Sequence, residues 1–190
     1  MMRVITGSAR GVRLEAPAGE STRPTAERTK EAVFSMIQFE VEGRRTLDLF
    51  AGSGQMGIEA ISRGAVRATF VDQSEQVAAL IRRNLAKTRT EAQGTVVRSD
   101  YRAFLRTCRE RYDLVFLDPP YALGAIPGVL DTMIRRDLLL PGALLICETG
   151  RPEDVFAGKA ALEDRFLIRR RTNYGVAHIA LLEWKGEDPA

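Results

Sequence analysis

The sequence predicts an α/β domain with a mostly parallel sheet, preceded by a small N-terminal arm. From Thr46 onwards, short apolar runs alternate with amphipathic segments, which is typical of strands joined by helices. A glycine-rich loop, Gly52-Ser53-Gly54, follows the first of these runs. Near the end, two strand-like runs flank Asn173-Tyr174-Gly175, a turn signal that predicts an antiparallel hairpin. The predicted sheet is therefore parallel except at its last two strands.

Each element is predicted from its local pattern. Before Thr46, residues 2–17 favour a hairpin around Gly11 and residues 18–26 a loop, followed by a helix that ends at Gly43. The predicted strands are Thr46–Phe50, Ala68–Val71, Thr95–Arg98, Leu114–Leu117, Ala143–Glu148, Phe166–Thr172 and Val176–Trp184. The predicted helices after the arm are Met56–Ser62, Glu75–Lys87, Tyr101–Cys108 and Val129–Arg135. We expect an arm at residues 1–45 and one domain at residues 46–190.

The composition and the arrangement of apolar residues narrow the possible classes of protein. The 190 residues carry a net charge of +3, with 45% hydrophobic and 28% charged residues, as in a soluble globular protein. The N-terminus has no apolar signal segment, and the longest apolar stretch, Leu138–Cys147, is too short to cross a bilayer. Cys108, Cys147 and His178 form no metal-binding pattern. We therefore expect a cytoplasmic protein with reduced thiols and neither a membrane partner nor a metal.

The loop after the first strand has the pattern G-x-G-x-x-G, formed by Gly52, Gly54 and Gly57. Glycines at these positions allow a tight turn and a close approach of a ligand to a helix N-terminus. The pattern alone does not identify the ligand, because enzymes that bind NAD share it.

Four aspartates narrow the range of ligands that this site could bind. Asp48, Asp72, Asp100 and Asp118 lie at or near the carboxyl ends of the first four predicted strands, where open α/β sheets bind ligands. Asp72 can accept from ribose hydroxyls, and Asp100 from an adenine amino group. A charge at Asp48 within a buried strand indicates a polar or cationic ligand group. Together they favour a nucleoside with a cationic amino-acid tail over a dinucleotide.

The turn Asp118-Pro119-Pro120-Tyr121 follows an apolar strand that two prolines cannot extend. It presents a carboxylate, a proline carbonyl and an aromatic ring. The two oxygen groups can accept both N–H bonds of a planar amine, and the ring can stack on a base flipped out of a nucleic acid. The turn therefore predicts chemistry on an exocyclic amine.

Together, Asp48-x-x-Ala51-Gly52-Ser53-Gly54 and the Asp118 turn resemble the class I S-adenosylmethionine-dependent methyltransferases that modify exocyclic amines. The arm narrows the resemblance to the RsmD family, bacterial methyltransferases that act on guanine N2 in 16S ribosomal RNA. The match runs from Met2 through Tyr121, and more loosely to Trp184, with a departure at Gln55-Met56, where small or apolar residues are expected. The arm residues that carry it are Arg3-Val4-Ile5, Gly7, Arg10-Gly11, Leu14, Pro17, Arg23-Pro24-Thr25, Arg28, Glu31 and Phe34.

The resemblance implies a Rossmann-like class I methyltransferase fold with a seven-stranded sheet, S-adenosylmethionine as cofactor and 16S rRNA or the small ribosomal subunit as partner of a monomer. The cofactor residues it implies are Asp48, Phe50, Ala51, Gly52, Ser53, Gly54, Gly57, Asp72, Gln73, Ser99, Asp100 and Tyr101. The catalytic residues it implies are Asp118, Pro119, Pro120 and Tyr121, with the amine held by Asp118 and the Pro119 carbonyl. For phosphate contacts, the basic arm offers Arg10, Arg13, Arg23 and Arg28.

Other functions stay open at this point. A DNA adenine-N6 or cytosine-N4 methyltransferase can use the same turn, but 190 residues leave no room for a separate target-recognition region. A non-catalytic module that binds nucleosides or RNA would not need a carboxylate directed at an amine. A nicotinamide oxidoreductase would need a catalytic Tyr-Lys or His pair, which is not evident. Methylation at pyrimidine C5 is disfavoured because neither cysteine follows a proline.

Overall fold

The computed structural model describes residues 2–17 and 24–186, and its elements follow the predicted order. The described strands are β1 Arg45–Asp48, β2 Arg67–Asp72, β3 Gly94–Arg98, β4 Tyr112–Leu117, β5 Leu139–Thr149, β6 Phe166–Tyr174 and β7 Ala177–Trp184. The described α-helices are α1 Pro24–Met36, α2 Gln55–Ser62, α3 Glu75–Thr88, α4 Tyr101–Thr107, α5 Ile126–Arg135 and α6 Ala160–Glu163. Among the described elements, the prediction missed α6 and three 3₁₀ turns, which are all short. It also placed a loop at residues 18–26, of which 18–23 lie outside the described residues, and a helix ending at Gly43, whereas α1 begins at Pro24 and ends at Met36.

The chain divides into two compact units, residues 1–101 and 102–190. In the first unit, β2 pairs in parallel with β1 on one side and with β3 on the other. Parallel strands that are buried on both faces consist of apolar residues, and the core of β2 (Phe70 and Val71) is fully buried. The predicted separation of an arm at 1–45 from a domain at 46–190 stays a prediction.

In the second unit, β4 pairs in parallel with β5, and Leu117 lies opposite Cys147. The chain then reverses: β7 pairs antiparallel with β5 and also with β6, so β7 lies between them. The predicted antiparallel end is confirmed. β5 begins four residues before the predicted Ala143, because Leu139 also pairs with β4, at Tyr112.

The N-terminal segment, residues 2–14, is part of the core of the first unit. It folds back on itself through an antiparallel bridge between Arg3 and Arg13 and through the bond from Val4 N–H to the Val12 carbonyl. The predicted hairpin is therefore present in minimal form. Val4 and Leu14 are buried in the same apolar cluster as Ile58 and Phe70, which belong to α2 and β2.

Polar groups of α2 fasten this segment. The fully buried Glu59 carboxylate accepts from the backbone N–H groups of Ile5 at 2.7 Å and Thr6 at 3.0 Å, and from Arg63 Nε at 2.7 Å. Ser62 Oγ accepts from Ala9 N–H and donates to the Thr6 carbonyl. A buried carboxylate is tolerated only when it is paired and hydrogen-bonded, and Glu59 meets both conditions.

Among the described residues, no helix is both long and apolar enough to cross a bilayer.

Replacement of Glu59 should therefore detach the N-terminal segment. We expect Glu59→Ala to lower the free energy of unfolding by about 3–5 kcal/mol, because it leaves Arg63 and two backbone N–H groups without their buried partner. Urea denaturation measures this loss. Glu75→Ala is the control, since the side chain of Glu75 is 62% exposed and its ion pairs should contribute within about 1 kcal/mol. Equal losses in the two variants would contradict the role of Glu59.

Candidate functional site

The glycine loop connects β1 to α2 in the first unit. Gly52 has a φ of +51°, and no atom lies within 4 Å of the position that a Cβ would occupy, so the space beside it is open. At Gly57, in contrast, a Cβ would lie 2.3 Å from Phe70 Cε1. Gly57 therefore allows α2 to pack closely on β2, whereas Gly52 leaves room for a ligand beside the backbone.

Asp48, the last residue of β1, is buried behind this loop. One of its carboxylate oxygens, Oδ2, accepts from the Gly57 N–H at 3.1 Å. Burial raises the pKa of Asp48 to about 7, although the Gly57 hydrogen bond lowers it, and the nearby charge of Asp72 raises it further. Asp48 thus fixes the start of α2 and is a carboxylate whose charge a cationic ligand would stabilise.

Asp72 ends β2, and one carboxylate oxygen, Oδ1, accepts from the Ser74 N–H at 2.9 Å. Its carbonyl accepts from the Ser99 N–H, also at 2.9 Å, which joins the ends of β2 and β3. The structure therefore brings Asp72 and Ser99 together, and their role in cofactor binding stays a prediction. Gln73 and Asp100 are exposed and follow them along the chain.

Two predicted cofactor residues are aromatic neighbours. The ring centroids of Phe50 and Tyr101 lie 5.0 Å apart, with the ring planes tilted by 50°. Both side chains are half-buried, so each keeps a part of its ring accessible. Nearby, Ala51 and Ser53 are buried, and the Ser53 carbonyl accepts from Asn84 Nδ2 at 2.9 Å, which holds the loop against α3.

The turn after β4 forms the predicted catalytic region of the second unit. Asp118 and Pro120 are exposed, Pro119 is buried, and Tyr121 opens a short 3₁₀ turn that ends at Leu123. The Tyr121 side chain is 41% exposed. An exposed carboxylate and a half-exposed ring in one turn fit contact with a base.

Glu148 is the residue that sequence reasoning missed. Its carboxylate oxygen Oε1 accepts from the Tyr121 hydroxyl at 2.8 Å. Burial raises the pKa of Glu148, whereas the Tyr121 hydrogen bond lowers it. Both side chains line a cleft with Pro119 and Gly150, where a Cβ on Gly150 would lie 2.9 Å from Tyr121 Cδ2. The ring of Tyr121 is thus held by a hydrogen bond at its hydroxyl and by close packing at its edge.

Three of the four predicted RNA-binding arginines are described. Arg10, Arg13 and Arg28 are exposed in the first unit, while Arg23 lies outside the described residues. Among the residues that the structure describes, no cluster of His, Cys, Asp and Glu could hold a metal ion.

The raised pKa of Asp48 predicts a pH dependence of stability. Because the folded protein binds this proton more tightly than the unfolded chain, the contribution is complete below pH about 4 and is lost as the pH rises to about 7. Over this range, stability should fall by about 1.4 kcal/mol per pH unit from Asp48 alone. Denaturation curves of the wild type and of Asp48→Asn, which removes the ionisation, would measure the difference.

Asp131→Asn serves as the control, since Asp131 is half-exposed and paired with Arg135. A pH dependence that is the same in Asp48→Asn and the wild type would show that Asp48 does not titrate in this range.

Comparisons with known proteins agree on one family. The family model described as Conserved hypothetical protein 95 matches residues 2–183. YlbH of Bacillus subtilis, assigned as an rRNA methyltransferase, is 35% identical over 97% of this chain and 100% of its own length. Ribosomal RNA small subunit methyltransferase D of Haemophilus influenzae is 33% identical over 78% of each chain. The Escherichia coli protein of the same name is 32% identical over 78% of this chain and 74% of its own.

Solved structures show the fold class. A structure from Escherichia coli, yhhF, assigned as a methyltransferase, has a TM-score of 0.85 at 27% identity and covers 98% of this chain and 99% of its own. An O-methyltransferase from Bacillus cereus, solved in complex with SAH, has a TM-score of 0.69 at 16% identity over 89% of this chain and 84% of its own. The fold is the Rossmann-like class I methyltransferase fold. With the family match and these identities, the chain belongs to the RsmD family.

Proposed function

We propose that this protein transfers a methyl group from S-adenosylmethionine to the exocyclic N2 of a guanine in small-subunit ribosomal RNA. The observation that carries the proposal is the Asp118-Pro119-Pro120-Tyr121 turn, with Tyr121 held by Glu148, in a chain whose relatives are small-subunit rRNA methyltransferases. Such a turn presents acceptors to an amine and a ring to a base.

The residues of the first unit fit the cofactor. Open space beside Gly52 permits a close approach to the loop, and the carboxylates of Asp48 and Asp72 suit an ammonium group and ribose hydroxyls. Phe50 and Tyr101 add half-buried rings for the adenine. When bound, S-adenosylmethionine supplies a methyl group activated by its sulfonium charge.

The residues of the second unit would bind and orient the guanine. The Asp118 carboxylate and the Pro119 carbonyl accept the two N–H bonds of N2, which localises the nitrogen lone pair and directs it outward. Tyr121 stacks on the base that has left the RNA helix. A bond would form between the nitrogen and the methyl carbon as the carbon–sulfur bond of the sulfonium breaks and leaves a neutral thioether. The nitrogen would then release one proton, which the exposed Asp118 carboxylate can accept. Catalysis is thus mainly by positioning.

We further propose that the enzyme acts as a monomer in the bacterial cytoplasm. The size of the proposed substrate supports a monomer. A methyltransferase that must reach one base within a large ribosomal particle meets the least steric hindrance as a single small chain. Light scattering at assay concentrations would measure the oligomeric state.

The test of this function is transfer of labelled methyl groups from S-adenosylmethionine to naked 16S RNA, assembled small subunits and duplex DNA. Nucleoside analysis of the product should show label in N2-methylguanosine from RNA. Label in N6-methyladenine or N4-methylcytosine of DNA would show that the protein is a DNA methyltransferase. RNA binding without any label would indicate a non-catalytic assembly factor.

Variants of Asp118 test the role of the turn. Asp118→Ala removes the acceptor and should lower kcat by about 10²–10³-fold, whereas Asp118→Asn keeps one carboxamide oxygen and should lose less. Cofactor affinity, measured by calorimetry, should stay within about threefold of the wild type in both, since the predicted cofactor residues all belong to the first unit. Equal loss of turnover and cofactor affinity would instead mark Asp118 as structural.

The arm should contribute to RNA affinity through charge. We expect Arg10→Glu and Arg28→Glu each to weaken RNA binding and to lower the slope of log affinity against log salt by about 1. Arg135→Glu is the control, because Arg135 is also exposed but belongs to the second unit, where it is paired with Asp131. If the arm variants keep the wild-type slope of log affinity against log salt, the arm does not contact the RNA.

A further inference from the structure

Two acidic residues lie side by side where β4 and β5 run in parallel. Leu117, the last residue of β4, is in register with Cys147 of β5. The residues that follow them are Asp118 and Glu148. Neighbouring strands are about 4.8 Å apart, which brings the two residues within reach of one base. The sequence separates them by thirty positions, and only the strand register joins them.

The two carboxylates differ in surroundings. Asp118 is exposed, whereas Glu148 is half-buried in the cleft lined by Pro119 and Tyr121. Glu148 Oε1 is engaged by the Tyr121 hydroxyl, which fixes the carboxylate. Its other oxygen, Oε2, has no hydrogen bond to any residue that the structure describes, and is thus available as an acceptor. An ionised carboxylate can accept but not donate hydrogen bonds.

We propose that Glu148 selects guanine by accepting a hydrogen bond from its N1–H, next to the amine that Asp118 and Pro119 hold. This inference rests on the proposed function. In guanine, N1, the ring nitrogen adjacent to the amine, carries a hydrogen. The base therefore offers three N–H donors to three acceptors, namely the Asp118 carboxylate, the Pro119 carbonyl and the Glu148 carboxylate. In adenine and cytosine the corresponding ring nitrogen offers a lone pair, which a second carboxylate repels.

The fixed position of Glu148 makes the selection effective. A carboxylate that is free to rotate could turn away from a wrong base, but the bond from Tyr121 holds this one in the cleft. A wrong base would also leave a partly buried carboxylate without its donor, which is the situation in which sites reject analogues most strongly.

The experiment first maps the modified guanine in 16S RNA by nucleoside analysis of fragments. That position is then replaced by 2-aminopurine through ligation, and the RNA is assembled into small subunits. 2-Aminopurine keeps the amine on C2 but has a lone pair at N1. For the wild-type enzyme, we expect kcat/KM for guanine to exceed that for 2-aminopurine by at least about 100-fold.

The variant Glu148→Gln should reduce this ratio at least about tenfold, because its amide oxygen can still accept from Tyr121 while its N–H faces the lone pair. Two further variants are compared. Asp154→Asn changes an acid that lines the same cleft and is the control that should keep the wild-type ratio. Tyr121→Phe keeps the ring but removes the bond that holds Glu148, so it should also reduce the ratio, though less than Glu148→Gln does.

The outcomes separate the two hypotheses. A wild-type enzyme that places no label on guanine N2 overturns the proposed function. A wild-type enzyme that labels guanine N2 but shows a ratio near one overturns the selection by Glu148, even if the Glu148→Gln protein fails to fold. A wild-type ratio retained in a folded Glu148→Gln protein overturns it equally and leaves Glu148 as a positioning residue for Tyr121.

Discussion

The first unit depends on helix α2, whose residues take part in the hydrogen bonds of two buried carboxylates. The Gly57 N–H, near the start of the helix, donates to Asp48, and Glu59, at its middle, accepts from the N–H groups of Ile5 and Thr6. In its ionised form, each carboxylate would lose its partners only at a large desolvation penalty. The glycine loop and the N-terminal segment are therefore parts of one packed body. A ligand that contacts the loop meets a backbone that is already in position, so little ordering entropy opposes binding.

Much of this architecture could be predicted from the sequence because the signals are local. The strands and helices follow from apolar runs and helical spacing, and the Asp118-Pro119-Pro120-Tyr121 turn follows from two prolines after a strand. Glu148 could not be predicted in this way. It ends an apolar run, where an acid is typical of a strand leaving the core, and its partner Tyr121 lies 27 positions earlier. Only the pairing of β4 with β5 brings them together. The close packing of Gly57 on Phe70 could not be predicted either, because it depends on how α2 packs against β2.

The raised pKa of Asp48 would couple the binding of a cationic ligand to the release of a proton. With a pKa of about 7, Asp48 is partly protonated in the free protein at neutral pH. A cationic amino group near it would favour the ionised form, so binding would release a proton. A strand-end aspartate can therefore be neutral in the ligand-free protein, where burial favours the uncharged form. It can be ionised in the ligand-bound protein, where its charge pairs with the ligand. The hydrogen bond from Gly57 is compatible with both states.

The position of β7 between β5 and β6 has a consequence for biosynthesis. The strand that carries Glu148 is supported on one side by β4 and on the other by β7, which is the last of the described strands to be synthesised. A nascent chain that has already exposed the Asp118 turn still lacks the neighbour that completes β5. Long-range pairings of this kind form late, because the loop between them must first close. The strand that carries Glu148 therefore gains its second neighbour only after Trp184 has been synthesised.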